Sequence, residues 1–129
     1  MGDITTDNGI MAALGRQMSR AVQRQMVAAG NLANAETPGY RAREVNFADA
    51  LDEQINAAAT NGAHFQAGDA RTGAVVREID DVAARRDGNT VQVDQELLKL
   101  GRAGGDFAAA QTALSAKFRL VRYAINEGK

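Results

Sequence analysis

Few residues in this chain could perform chemistry. It has a single histidine, His64, and no cysteine, so it lacks a thiolate nucleophile, a Cys–His pair and any disulfide. His64 stands in a stretch of small and polar residues, where a solvated ring is expected. Asp80 and Asp81 are neighbours in sequence and diverge in direction, so they do not make an acid and base pair. The stretch "GRAGGD" from Gly101 has neither the spacing nor the lysine of a phosphate-binding loop, and no His, Asp and Glu set has metal-ligand spacing. Arg85 and Arg86 read as a solvated turn rather than an anion site. Taken together, these residues argue against an enzyme and call for no cofactor and no metal.

The chemistry that remains is hydrogen bonding, and it is concentrated in "NLANAETPGY", Asn31 to Tyr40. Asn31 and Asn34 lie three apart, on one face of a helix, where their amides can serve the carbonyls that a helix end leaves without partners. Thr37, Pro38, Gly39 and Tyr40 fit a type II turn: proline fixes φ at the second position and glycine supplies positive φ at the third. Local chemistry alone is equally satisfied by a helix cap and by a contact to a neighbouring chain.

Two long helices must position this stretch. Met11, Leu14, Met18, Ala21, Gln25, Ala28, Leu32 and Ala35 alternate spacings of three and four, a heptad seam. Asp7 and Asn8 are N-cap residue types, and Thr37 before Pro38 ends the pattern. The predicted helix has about 28 residues and is roughly 40 Å long. A second seam runs through Leu97, Leu100, Gly104, Phe107, Gln111, Leu114, Phe118, Val121 and Ile125, with Asp94 as the predicted N-cap. That helix is predicted to span about 32 residues.

Between the helices the pattern lapses. A short helix is expected over residues 47–55 and a flexible loop over 57–73. "AVVREI" reads as a brief strand, which "DGNT" would turn back onto "VQV" in a small hairpin over residues 74–93. The fold class expected is mainly α: long N- and C-terminal helices packed as a coiled-coil-like pair, with an irregular middle segment. This divides the chain into 1–40, 41–90 and 91–129.

Composition limits what such a pair can bury. Of the 129 residues, 26 are alanine, and there is no tryptophan, so large core anchors are few. The mid-helix glycines Gly104 and Gly105 each cost about 1 kcal/mol relative to alanine. Small residues also let other helices approach closely, so the sequence suits a part of a multi-helix assembly. Fifteen basic residues against 16 acidic ones, with no long run of either sign, exclude a nucleic-acid footprint. No apolar run reaches the roughly 20 residues of a membrane span, and Met1 to Gly9 carries acids where a cleavable signal peptide would be basic and then apolar.

With these residues in view, "NLANAETPGY" resembles the N-terminal signature of the bacterial flagellar axial proteins, the rod, hook and hook-associated subunits. "RAREVNFADAL" and "GNTVQVDQEL" resemble the short rod subunits of that family, and the likeness spans roughly residues 8–55 and 87–127. Gly30 departs from it, standing where the family commonly has an asparagine, as do Ala110, where an aromatic is frequent, and the pair Gly104 and Gly105.

The resemblance implies a structural subunit of the periplasmic rod, exported without a cleavable signal peptide. Its partners would be copies of itself, the rod subunits FlgC, FlgF and FlgG, the adaptor FliE, the MS ring and the export gate. The assembly interface would comprise Met11, Leu14, Met18, Leu32, Leu97, Leu100, Phe107, Leu114, Phe118, Val121 and Ile125. The signature turn would comprise Asn31, Asn34, Thr37, Pro38, Gly39 and Tyr40. Phe47 and Leu51, four apart in "FADAL", resemble an export-gate recognition pattern, although any amphipathic helical turn pairs residues four apart. The alternatives are the related rod subunit FlgC and a cytoplasmic coiled-coil adaptor, which would share the heptads but has no need of the amide-rich turn.

Overall fold

In the computed structural model, residues 4–47 and 74–126 are described. Two long helices dominate: α1, Ile4–Ala33, and α2, Val93–Asn126. Two short strands lie between them in sequence, β1, Arg43–Asn46, and β2, Val75–Glu78. The helices run antiparallel. Asn31 near the end of α1 meets Glu96 in the first turn of α2, while Arg24, two turns earlier, meets Asp106, almost three turns later.

The contact between the helices is made by small side chains. Ala21 and Ala28 of α1, and Ala103 and Ala110 of α2, are buried. Gly104 sits against Gln25, whose Nε2 lies 3.3 Å from where a Cβ on the glycine would be. A buried methyl group contributes on the order of 1 kcal/mol, so this seam gains its stability from close approach over many turns.

The seam on α1 is the one the heptad describes: Met11, Leu14, Met18, Gln25 and Leu32 are half-buried and Ala21 and Ala28 buried. On α2 every second member is displaced by one residue. Leu100, Phe107, Leu114 and Val121 are half-buried, but the members between them are Glu96, Ala103, Ala110 and Lys117, more buried than Leu97, Gly104, Gln111 and Phe118, of which only Gly104, against Gln25, is half-buried. Leu97, Phe118 and Ile125 are therefore turned out, with Phe118 55% and Ile125 65% exposed. The reason is steric: a closely packed helix pair takes alanine at its centre and sends the larger neighbour to the flank.

The ends of the helices also differ from expectation. α1 includes Asp7 and Asn8 instead of being capped by them, and ends at Ala33, so Asn34 begins a turn. Asp94 lies inside the first turn of α2, whose first backbone bond runs from Glu96 N–H to the Gln92 carbonyl.

The strand at "VVRE" is present, but its partner is not "VQV". β2 pairs antiparallel with β1, with Arg43 opposite Glu78 and Val45 opposite Val76. Val91 is instead buried with Ala35 and Ala42, flanked by Tyr40 and Ile79. The Val91 N–H is bonded to Asn89 Oδ1 and the Thr90 N–H to the Tyr40 carbonyl, so this segment is tied to the signature turn and not to β2. The expected helix over 47–55, the loop over 57–73, His64 and Leu51 lie outside the described residues, apart from Phe47 at the helix's start.

Candidate assembly site

The signature turn forms as its residue types require. Tyr40 N–H donates to the Thr37 carbonyl at 3.2 Å across Pro38 and Gly39, and Gly39 has φ +72. This is the hydrogen bond and the positive third-position φ of a type II turn. Thr37 and Asn34 are linked side chain to side chain at 3.2 Å, and Asn34 Nδ2 donates back to the Gly30 carbonyl at 2.9 Å. Asn34 thus serves as a cap at the end of α1, its side chain adding a second bond to a carbonyl that also accepts from the Asn34 N–H at 3.3 Å.

Asn31 does something different. Its side chain is completely buried, and it treats residue 43 as a strand would: Oδ1 accepts from Arg43 N–H at 2.9 Å while Nδ2 donates to the Arg43 carbonyl at 2.8 Å. Nδ2 also donates to Glu96 Oε2 at 2.9 Å, and Tyr40 Oη donates to Oδ1 at 3.4 Å. One amide therefore ties α1, the outer edge of β1, the signature turn and α2 together. Glu96 is 2% exposed, and its other oxygen accepts from Lys99 Nζ at 2.8 Å, so the buried carboxylate is paired.

The carbonyls of the turn that follows α1 receive further donors from the far side of the chain. Asn89, also completely buried, directs Nδ2 at the carbonyls of Asn34, Ala35 and Thr37 at 2.9, 3.2 and 2.7 Å. Its Oδ1 accepts from Val91 N–H at 2.7 Å. The Arg85 guanidinium donates to the Ala35 carbonyl as well. Gly39 N–H donates to the Asp87 carbonyl at 2.9 Å, Thr90 N–H to the Tyr40 carbonyl at 3.0 Å, and Ala42 N–H to Thr90 Oγ1 at 2.8 Å. "DGNT" is thus a clasp on the signature turn. Its turn character was legible in the sequence; its role as the acceptor and donor set for residues 34–42 was not, because nothing in local spacing pairs residues 50 apart.

Phe47 leaves β1 alongside α1, half-buried, with the guanidinium carbons of Arg20 and Arg24 at 5.5 and 5.1 Å from its ring centroid. Both distances are in cation–π range. A groove of about 320 Å³ opens beside it, bounded by Arg24, Arg43, Glu44, Lys99, Arg102 and Asp106. Its lining mixes four basic residues with the acids Glu44, Glu96 and Asp106, and among the described residues no cluster of His, Cys, Asp and Glu could hold a metal ion. The structure brings the signature residues Asn31, Asn34, Thr37, Pro38, Gly39 and Tyr40 to one place and distributes the helix residues over two faces. Met11, Leu14, Met18, Leu32, Leu100, Phe107, Leu114 and Val121 turn toward the helix pair, while Leu97, Phe118 and Ile125 turn away. Exposed Met26, Leu98, Leu120 and Tyr123 add to the outward apolar surface.

An antiparallel helix pair with alanine at its centre, large apolar residues outside and a clasped Thr-Pro-Gly-Tyr turn defines a helical building block. Residues 12–41 match the family described as flagella basal body rod protein. The chain is 28% identical to the flagellar basal body rod protein FlgB of Bacillus subtilis (strain 168), over 95% of this chain and 97% of that one. It is 30% identical to FlgB of Escherichia coli (strain K12), over 82% of this chain and 85% of that one. It is 37% identical to FlgB of Aeromonas hydrophila over 57% of this chain and 60% of its relative. The chain belongs to the FlgB family of flagellar basal body rod proteins. It is a structural subunit of the flagellar basal body rod and associates with other rod components. The reading as a cytoplasmic adaptor gives way to this relationship, and FlgC is not the family member these relatives resemble.

No helix among the described residues is long and apolar enough to cross a membrane.

Proposed function

We propose that this subunit builds the proximal, periplasmic part of the rod and transmits torque through its terminal helices. The observation that carries this reading is the separation of faces on α2. The alanine face is used up in packing on α1, while Leu97, Phe118 and Ile125 remain outward and more than half exposed. Apolar surface arranged along a helix gains stability when neighbouring helices cover it. The neighbours proposed are copies of this subunit, FlgC, FlgF and FlgG, with FliE and the MS ring at the membrane end. The subunit works without catalysis, and its division into an N-terminal helix and turn (1–40), a middle segment (41–90) and a C-terminal helix (91–129) follows the same reading.

Phe118→Asp and Ile125→Asp test it. Each leaves the α1–α2 seam intact, so the reading requires folded subunits that fail to enter basal bodies; normal incorporation of both would refute it.

Export through the flagellar type III route, without cleavage of a signal peptide, completes the proposal, with Phe47 and Leu51 presented to the export gate. Deleting residues 47–51 is expected to leave soluble protein that is absent from the assembly. Normal incorporation after that deletion would exclude the export role.

A further inference from the structure

We propose that Glu96 is the positioning residue that sets the orientation of the Asn31 amide, and through it fixes where the chain leaves the signature turn. A carboxamide has nearly the same shape when its oxygen and nitrogen are exchanged, so a buried asparagine needs neighbours that choose between the two orientations. An ionised carboxylate makes that choice, because it can only accept hydrogen bonds.

Glu96 Oε2 lies 2.9 Å from Asn31 Nδ2, so with α1 and α2 packed the nitrogen is held on the α2 side and Oδ1 on the other. The amide then offers a donor and an acceptor in one order only. That order matches the carbonyl and N–H of Arg43, at 2.8 and 2.9 Å, and places Oδ1 where Tyr40 Oη reaches it at 3.4 Å. The flipped amide would set Oδ1 against both the carboxylate and the Arg43 carbonyl and Nδ2 against the Arg43 N–H, three repulsions in a site without solvent. The negative charge also polarises the amide and strengthens the bond that Oδ1 accepts from Arg43. In this way a residue of α2 determines how β1 begins, 53 positions earlier in the chain.

A simpler role for Glu96 would be local. It stands in the first turn of α2, where acids favour the helix dipole, and pairs with Lys99 three residues on. The two roles separate in Glu96→Gln and Lys99→Gln. Glutamine keeps the shape but both accepts and donates, so it no longer chooses an orientation. Lys99→Gln removes the ion pair and leaves the carboxylate on Asn31.

Amide hydrogen exchange of the full-length folded protein reads the difference at Arg43. Glu96→Gln should lower protection of the Arg43 amide by roughly five-fold or more, the difference between a charged and a neutral hydrogen bond, while Lys99→Gln leaves it within about two-fold. Unchanged protection in Glu96→Gln, or an equal loss in Lys99→Gln, would overturn the proposal. If Glu96→Gln prevents folding of the purified chain, the parent protein decides the question: both Asn31 Nδ2 hydrogens are bonded, one to Arg43 and one to Glu96, and slowed exchange of both supports the positioning role. Exchange of either at the rate of an exposed asparagine side chain refutes it.

Discussion

Gly39 and Gly88 face each other backbone to backbone across the clasp: a Cβ built on Gly88 would lie 3.4 Å from the Gly39 Cα, and both residues have positive φ, at +72 and +80. The signature turn and the "DGNT" turn therefore meet at their two glycines, and each needs glycine for its own conformation as well as for the approach.

Gly88→Ala forces a side chain into a left-handed conformation at this contact. The expected cost is about 1–2 kcal/mol, read as a lower urea midpoint of the full-length protein. Gly105→Ala is the matched control. It lies within α2 where an added Cβ meets nothing within 4 Å, and it should stabilise by up to about 1 kcal/mol.

Asn89→Asp preserves shape and removes the donor. Its second oxygen would face the carbonyls of Asn34, Ala35 and Thr37, which now accept from Nδ2. A loss of about 2–3 kcal/mol is expected, larger than for an exposed asparagine, and denaturant unfolding measures it.

Leu114→Asp and Phe118→Asp should part company. Leu114 is half-buried toward α1, so its replacement is expected to destabilise the isolated chain by about 2 kcal/mol or more. Phe118 is mostly exposed, so its replacement should leave unfolding within about 0.5 kcal/mol of the parent while reducing rod assembly. Equal destabilisation of the isolated chain would mean that Phe118 belongs to the seam.

Phe47 couples to Arg20 and Arg24 through its ring face. Phe47→Leu is expected to cost about 0.5–1 kcal/mol from the lost cation–π contact. A double-mutant cycle with Arg24→Gln isolates that coupling, and strict additivity of the two changes would show the ring contact to contribute nothing.

The sequence showed the helices plainly because their periodicity is long, and it showed the Thr-Pro-Gly-Tyr turn because proline and glycine at those positions admit few other conformations. On α2 it found Leu100, Phe107, Leu114 and Val121 but set the members between them one residue too far along, for a physical reason. A pattern weighted by large apolar residues picks out Leu97 and Phe118, whereas two helices in close contact select Ala103 and Ala110 between them. Glu96 was legible only as a first-turn acid, since its burial depends on Asn31, 65 residues away in the chain. Asn89 lay in a recognisable turn, but what it caps is set by tertiary approach. β2 was found as a strand, and its partner was missed because the nearer candidate, residues 90 and 91, has its N–H groups bonded to Tyr40 and Asn89 while β1 comes from the other side of the middle segment.

The clasp of Asn89 on the end of α1 also bears on the tempo of folding. Its donor and acceptors are 52 to 55 residues apart, so bringing them together costs roughly 3.5 kcal/mol of loop-closure entropy, on the (3/2)RT ln n scaling, before any bond is gained. Local turns of α1 form without that delay, while the knot that finishes the helix waits for a late, long-range encounter. A chain emerging N-terminus first therefore carries an unfinished α1 until residues 85–91 have followed it. The end of α1 is therefore secured only once that later segment is at hand.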